Sequence, residues 1–317
     1  MPAVADMQNG IIREFEDNPD VVAVIFNQGG ANGETLSWLR TVWDNFYLRA
    51  KIIWDETGTT GKNTYAQPNT GLPFGRWFVI DRNGYIAAAE FGYDPAKAIR
   101  IIYSLLNKPT TSACHQLADG TEVGMLGKMV TAGTSQIGGA FYVENPDRSG
   151  GIRVEWPAGT SVPQWVSADV AGRLATADTG ERKIDAFSVT QYSGSSLAAL
   201  ALPNFVLGGA SPGSYTSGVT GASGLYNIGL LVTSWGRVTE VGAGCFWMDD
   251  GSGITADTGH LGVRVVTGGL AMPPGFGLDA YVMATGISSC AKLPDGTIVR
   301  AILGRASSDI AVAQSAP

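Results

Sequence analysis

The chain has 317 residues, enough for two or three domains with hydrophobic cores of their own. Hydrophobic residues make up 44% and charged residues only 15%, against a usual ~25%, so the chain is neither disordered nor collagen-like. The 43 glycines point to short strands and tight turns, and the net charge of −7 argues against a protein that holds a phosphate backbone.

Few residues are equipped for chemistry. Three cysteines (Cys114, Cys245, Cys290) and two histidines (His115, His260) contain no Cys-x-x-Cys and no pair at zinc-ligand spacing. No cofactor is expected. The odd count excludes a fully paired disulfide framework, and Cys245 with Cys290 is the pair open to an exported chain. No apolar run approaches the ~20 residues that span a bilayer. The opening Met1–Gly10 stretch shows no basic region and no apolar region, so no signal peptide is visible. Low charge with much glycine nevertheless suits an extracellular or cell-envelope protein.

Residues 1–107 alternate two patterns. Ile11, Ile12 and Phe15 mark a short helix, Val21 to Phe26 a buried strand, and Leu36, Leu39, Val42, Trp43 and Phe46 a helix. Lys51-Ile52-Ile53-Trp54 reads as a second parallel-type strand. Arg76 to Asp81, the turn Arg82-Asn83-Gly84 and Tyr85 to Ala88 read as a hairpin. Asp94-Pro95 supplies a cap and first-turn proline for a helix with Ile99, Ile102 and Leu106 on one face.

This order, with Gly71-Leu72-Pro73-Phe74 and Phe78-Val79-Ile80-Asp81-Arg82-Asn83-Gly84, resembles the thioredoxin-like fold near its thiol-disulfide and peroxiredoxin branch. The resemblance covers most of residues 9–107 and puts Pro73 at the place of that family's cis-proline. It implies an α/β domain without the activity. Where the family's cysteines would stand, the chain has Asn27-Gln28-Gly29-Gly30-Ala31-Asn32-Gly33-Glu34, and disulfide exchange needs a thiolate. The same loop has neither GK[ST] nor GxGxxG and reads as a tight connection.

After the polar Lys108–Ser112 segment, short strands take over, and two stretches echo one another. Gly127-Lys128-Met129-Val130-Thr131 matches Gly236-Arg237-Val238-Thr239, and Phe141-Tyr142-Val143-Glu144 matches Phe246-Trp247-Met248-Asp249. Gly150-Gly151-Ile152-Arg153-Val154 matches Gly262-Val263-Arg264-Val265, and Val170 to Leu174 matches Met283 to Ile287. Arg182-Lys183-Ile184 is set against Ile298-Val299-Arg300. Glycines inside these strands suit the sharp coiling of a small barrel. Both stretches, over 116–190 and 226–306, resemble the OB-fold, which implies a barrel and leaves the ligand open.

The expected architecture is therefore multidomain. It has an α/β thioredoxin-like domain (1–110), a first all-β OB-like barrel (111–195), a Gly/Ser-rich packed connector (196–225), and a second OB-like barrel with the C-terminal tail (226–317). The connector carries Leu197, Leu200, Leu202, Phe205, Val206 and Leu207, too apolar for a free linker. In the tail, Ile310-Ala311-Val312 is suited to adding to a strand edge.

Trp156, Trp165 and Trp247 are the candidates for stacking a ligand. From residue 111 onward, however, 11 basic residues face 16 acidic ones, which argues against nucleic acid. Asp249, Asp250 and Asp257 are the candidates for a metal ion. They lack EF-hand spacing, and Asp249-Asp250-Gly251-Ser252-Gly253 is equally what a tight turn selects. The expectation is a non-catalytic structural or protein-binding component. Its partners would be copies of itself or another protein, with assembly into a polymer open. The alternative is a module holding an oligosaccharide or single-stranded nucleic acid on barrel aromatics. A thiol oxidoreductase comes third, for want of a nucleophile.

Overall fold

The computed structural model describes residues 11–15, 17–28, 41, 51–55, 76–80, 86–91, 94–106 and 108–314, except 157–160 and 257–258. The chain divides into two compact units, residues 1–106 and 107–317.

In the first unit, β1 (Val24–Gln28) and β2 (Lys51–Asp55) pair in parallel, and β3 (Arg76–Ile80) and β4 (Ile86–Phe91) form an antiparallel hairpin. Helix α1 (Pro95–Leu106) opens where the Asp94 carboxylate accepts the Lys97 amide at 3.0 Å, and it buries Ala98, Ile101 and Ser104 along one side. Pro73 and the Gly29–Glu34 loop lie outside the described residues.

These elements correct the expected fold class. A thioredoxin-like domain needs one central sheet covered by helices. Here the two strand pairs are separate two-stranded sheets among the described residues. Strand predominates among the described residues, at 45% against 12% helix with two helices of defined extent, so the fold is predominantly β rather than α/β joined to all-β. The family resemblances do not carry over. The barrel-like sheets that follow are compatible with all-β content.

The second unit begins with α2 (Thr111–Cys114), capped by the Thr110 hydroxyl, which accepts the Ala113 amide at 3.1 Å. A closed barrel follows, built from β5 (Glu122–Ile137), β6 (Ala140–Glu144), β7 (Gly151–Glu155), β8 (Ser167–Thr176) and β9 (Arg182–Tyr192), in the order β5-β6-β7-β9-β8. β5 has 16 residues and serves both neighbours, pairing with β8 through its first half and β6 through its second. It turns between them at a register shift that contains Gly127, whose φ of +62° suits glycine. Val123, Val130, Phe141, Ile152, Leu174 and Ile184 fill the barrel.

The same order recurs downstream in β11 (Leu231–Gly242), β12 (Cys245–Asp249), β15 (Val263–Val266), β17 (Ile298–Leu303) and β16 (Tyr281–Lys292), with a β11–β16 pairing that closes the ring. Four short strands are added. β10 (Leu200–Ala201) lies beside β11, and β18 (Ile310–Gln314) pairs antiparallel with β16. A small hairpin of β13 (Thr255–Ala256) and β14 (His260–Leu261) sits between β12 and β15. The tail residues Ile310 to Val312 thus extend their own barrel's sheet.

Pairing fixes how the two barrels correspond. Tyr142 faces Arg153 and Trp247 faces Arg264, while Arg153 faces Lys183 and Arg264 faces Ala301. Arg182-Lys183-Ile184 therefore corresponds to Arg300-Ala301-Ile302, two residues beyond the match expected from sequence. The shared arginine has a shared task. Arg182 donates to the Leu117 carbonyl and Arg300 to the Leu207 carbonyl at 3.1 Å, each tying a preceding segment to its barrel.

A buried polar seam joins the barrels. Tyr142 and Ser289 donate to the Glu181 carboxylate at 2.8 and 2.6 Å, and Arg153 lies 3.5 Å from it. Glu144 accepts the Leu231 amide at 2.9 Å, and Arg148 donates to the Leu231 carbonyl at 2.8 Å. Gly151 and Gly229 meet backbone to backbone. Leu231 and Ile287 of the second barrel pack with Ala132 and Tyr142 of the first. The connector joins in, with the Thr216 hydroxyl donating to the His115 carbonyl at 2.7 Å and Leu207 buried in the second core.

Candidate functional site

The residues singled out from sequence mostly serve packing. Trp156 lies half-buried against the first core, with no partner for its indole N–H among the described residues. Trp165 packs into the seam, where the Arg305 guanidinium stands 5.7 Å from its ring. Trp247 is 7% exposed. The His260 ring stacks on it at 4.2 Å, Arg264 lies 5.9 Å from it, and the β13–β14 hairpin packs alongside. Trp247 is thus covered, while Trp156 and Trp165 remain partly exposed beside the clusters they pack against.

Asp249 accepts the Gly251 and Gly253 amides at 3.2 and 3.1 Å, and Asp250 accepts those of Ser252 and Asn204 at 3.0 and 2.8 Å. Both carboxylates shape the turn and brace the connector. Asp257 lies outside the described residues, and no group of three metal-ligating side chains is found among those described. Cys245 and Cys290 are free thiols in different clusters, the first beside Trp247 and the second with Val219, Ile228 and Ile298. Burial pushes the Cys114 thiol up to about 12 and raises Cys290 as well, so neither is a ready nucleophile.

His115 is buried with its Nε2 3.0 Å from the Gly151 carbonyl, and desolvation lowers its pKa from 6.5 to about 4 despite that bond. The unfolded chain takes up this proton first as pH falls, so the folded state loses stability between about pH 6.5 and pH 4. The loss amounts to about 3 kcal/mol at the acid end. Urea unfolding across that range should show this slope in the native chain and a flatter one in His115→Gln.

Among the exposed apolar residues, one group lies together on adjoining strands. Along β11 and β16 the outward side chains form facing pairs: Leu231 with Ile287, Thr233 with Thr285, Trp235 with Met283, and Arg237 with Tyr281. The first pair is covered by the other barrel. The threonine hydroxyls bond to each other at 2.8 Å. Beyond them Trp235, Met283 and Tyr281 stand 47%, 46% and 49% exposed, although a Trp, a Met and a Tyr are normally well covered. At the far end Arg237 donates to Asp279 at 2.8 Å. On the flanking strands Ala201 and Ala311 are exposed and small.

Sequence reasoning missed this face because its signal is muted. In Val232 to Val238 the inward positions 234 and 236 are Ser and Gly, so the alternation that would turn Trp235 outward is masked. Ser234 faces inward because its hydroxyl bonds to Leu202 and Asn204, and Gly236 because a Cβ there would lie 2.6 Å from the Asp249 backbone.

The corresponding docking faces of the two barrels are not both open. The first barrel uses its Tyr142 face against the second. The matching Trp247 face carries the hairpin. The second barrel uses Leu231 and Ile287. From the pairing of Gly172 with Val123 and of Gly286 with Val232, the matching residues are Glu122 and Arg173, which form an ion pair at 3.0 Å. The first barrel thus carries an ion pair where the second carries its apolar contact, and the Trp235 face is left as exposed apolar surface. Among the described residues no helix is long and apolar enough to cross a membrane. Neither a protein-family profile nor a curated protein sequence matches the chain.

Proposed function

We propose that the chain is a non-catalytic structural component that binds another protein chain through the outer face of its second barrel. The supporting observation is the cluster of Trp235, Met283 and Tyr281 on adjoining strands, each about half exposed. Exposed apolar surface of this kind, with polar groups at its edge, is what an association site requires. An extracellular or envelope setting rests on composition alone, the low charge and high glycine content.

The test is a photoreactive amino acid in place of Tyr281 in the full chain, irradiated in the cells that make the protein. A discrete covalent adduct to a polypeptide is expected, with none from the same probe at the exposed turn residue Asp295. Absence of any adduct at position 281 overturns the proposal.

Oligosaccharide binding is the second reading, and this same face favours it, since Trp235 is more exposed than Trp156, Trp165 or Trp247. A glycan that shifts tryptophan fluorescence in the native chain and not in Trp235→Ser would favour it. Nucleic acid is disfavoured, since the cation of the stripe, Arg237, is tied to Asp279.

A further inference from the structure

Building on that function, we infer that the partner on the Trp235 face is a second copy of the chain, docked face to face about a twofold axis running along the strands. Such an axis lays β11 of one copy over β16 of the other. Trp235 then meets Met283 of the second copy, and the reverse contact forms at the same time. Thioether sulfur against an indole is a favourable contact, and two reciprocal contacts form the centre.

The charges follow the same symmetry. Arg237 and Asp279 stand together at one end of the stripe, 48% and 43% exposed at the side chain. Flipping the face about this axis brings Arg237 over Tyr281 and beside Asp279 of the other copy, and sends the mirror pair back. A patch that holds one cation and one anion in this arrangement complements itself. A foreign partner would have to match both.

Two further features favour sheet-on-sheet contact. The exposed residues of the flanking strands, Ala201 and Ala311, are small enough to let a second sheet approach to the usual ~10 Å. The stripe also continues an interface already in use, because Leu231 and Ile287 on the same two strands hold the first barrel. Head-to-tail growth is blocked at the Trp247 hairpin and the Glu122–Arg173 pair, so the expected product is a closed dimer, which an isologous contact gives.

Sedimentation equilibrium of the full chain over a wide concentration range tests this. The native chain should pass from monomer to dimer. Arg237→Asp places two anions at the rim and Asp279→Arg two cations. Each lies on an exposed pair, so folding should hold, and each should weaken dimerisation by roughly tenfold or more. Mixed together, the two variants should recover the native affinity as a heterodimer, which folding defects would not produce.

A native dimer that ignores both substitutions, or a mixture no tighter than its parts, overturns the twofold arrangement. A chain that stays monomeric at every concentration overturns it too. In that case the Tyr281 adduct separates the remaining possibilities. A mass other than twice the chain keeps the binding function with a different partner, and no adduct removes both.

Discussion

Replacing Glu181 with alanine is expected to cost about 3 kcal/mol and to loosen the two barrels from one another. The carboxylate is 1% exposed at the side chain and gathers donors from both sides of the seam, Tyr142 and Arg153 from the first barrel and Ser289 from the second. Removing it leaves the buried Tyr142 hydroxyl with no acceptor, Ser289 with only the Cys290 carbonyl at 3.5 Å, and a guanidinium with one carboxylate fewer, which is the expensive way to break such a network. Glu181→Gln retains one acceptor and should cost less, about 1–2 kcal/mol.

The pH dependence distinguishes this role from simple packing. Burial raises the Glu181 pKa against the hydrogen bonds from Ser289 and Tyr142 that pull it down. A raised carboxyl gives stability that is fully present below its unfolded pKa and is lost as pH rises through the folded one. The advantage of the native chain over Glu181→Gln should therefore be greatest in acid and shrink toward neutrality. His115 has the opposite slope, so the comparison has to be made variant by variant. As a control, Glu240→Ala breaks a 2.5 Å contact to His260 at the surface and should change stability by less than about 1 kcal/mol. Unfolding curves at several pH values decide the matter, and a pH-independent gap between native and Glu181→Gln would count against the assignment.

The strands of the second unit were legible because their residues obey local rules. Gly151-Ile152-Arg153-Val154 and Gly262-Val263-Arg264-Val265 alternate inward valine or isoleucine with an outward arginine, and β7 and β15 form there. The exposure of aromatic residues was not legible by the same means. Tyr142 and Trp247 occupy corresponding positions and both point away from their barrel cores, yet one is sealed by the neighbouring barrel and the other lies against a hairpin. Burial there is decided by what docks, and docking is not written in strand periodicity. Trp235 shows the converse, an outward ring hidden among inward residues that are themselves small or polar. In the first unit, the run Val21 to Phe26 predicts a buried strand, whereas β1 begins only at Val24, and Val22 and Val24 are exposed. The sheet order that would join the strands rests on pairings between distant segments, and among the described residues β1–β2 and β3–β4 stay apart.

Gly151→Ala should open the same seam by a different route. A Cβ at Gly151 would lie 2.2 Å from the Gly229 carbonyl oxygen and 2.4 Å from its carbon, and both are backbone atoms with no flexible side chain to give way. Gly229 cannot retreat easily. Its φ of +94° holds the chain in a conformation natural to glycine, and its amide donates to the Ser288 carbonyl at 2.7 Å. Overpacking at such a point costs about 3 kcal/mol, and the strain falls on the contact between barrels rather than inside either one. A native chain in which residues 107–317 form one compact unit should unfold its two barrels in a single cooperative step. In Gly151→Ala that step should divide in two, with the amides of Gly229 and Leu231 exchanging hydrogen early while those inside each barrel stay protected. Gly277→Ala is the matched control, since a Cβ there meets nothing within 4 Å, and it should leave the transition where it was. If Gly151→Ala instead lowers the midpoint of one undivided transition, the two barrels depend on each other for folding, and the seam is part of a common core rather than a joint between independent bodies.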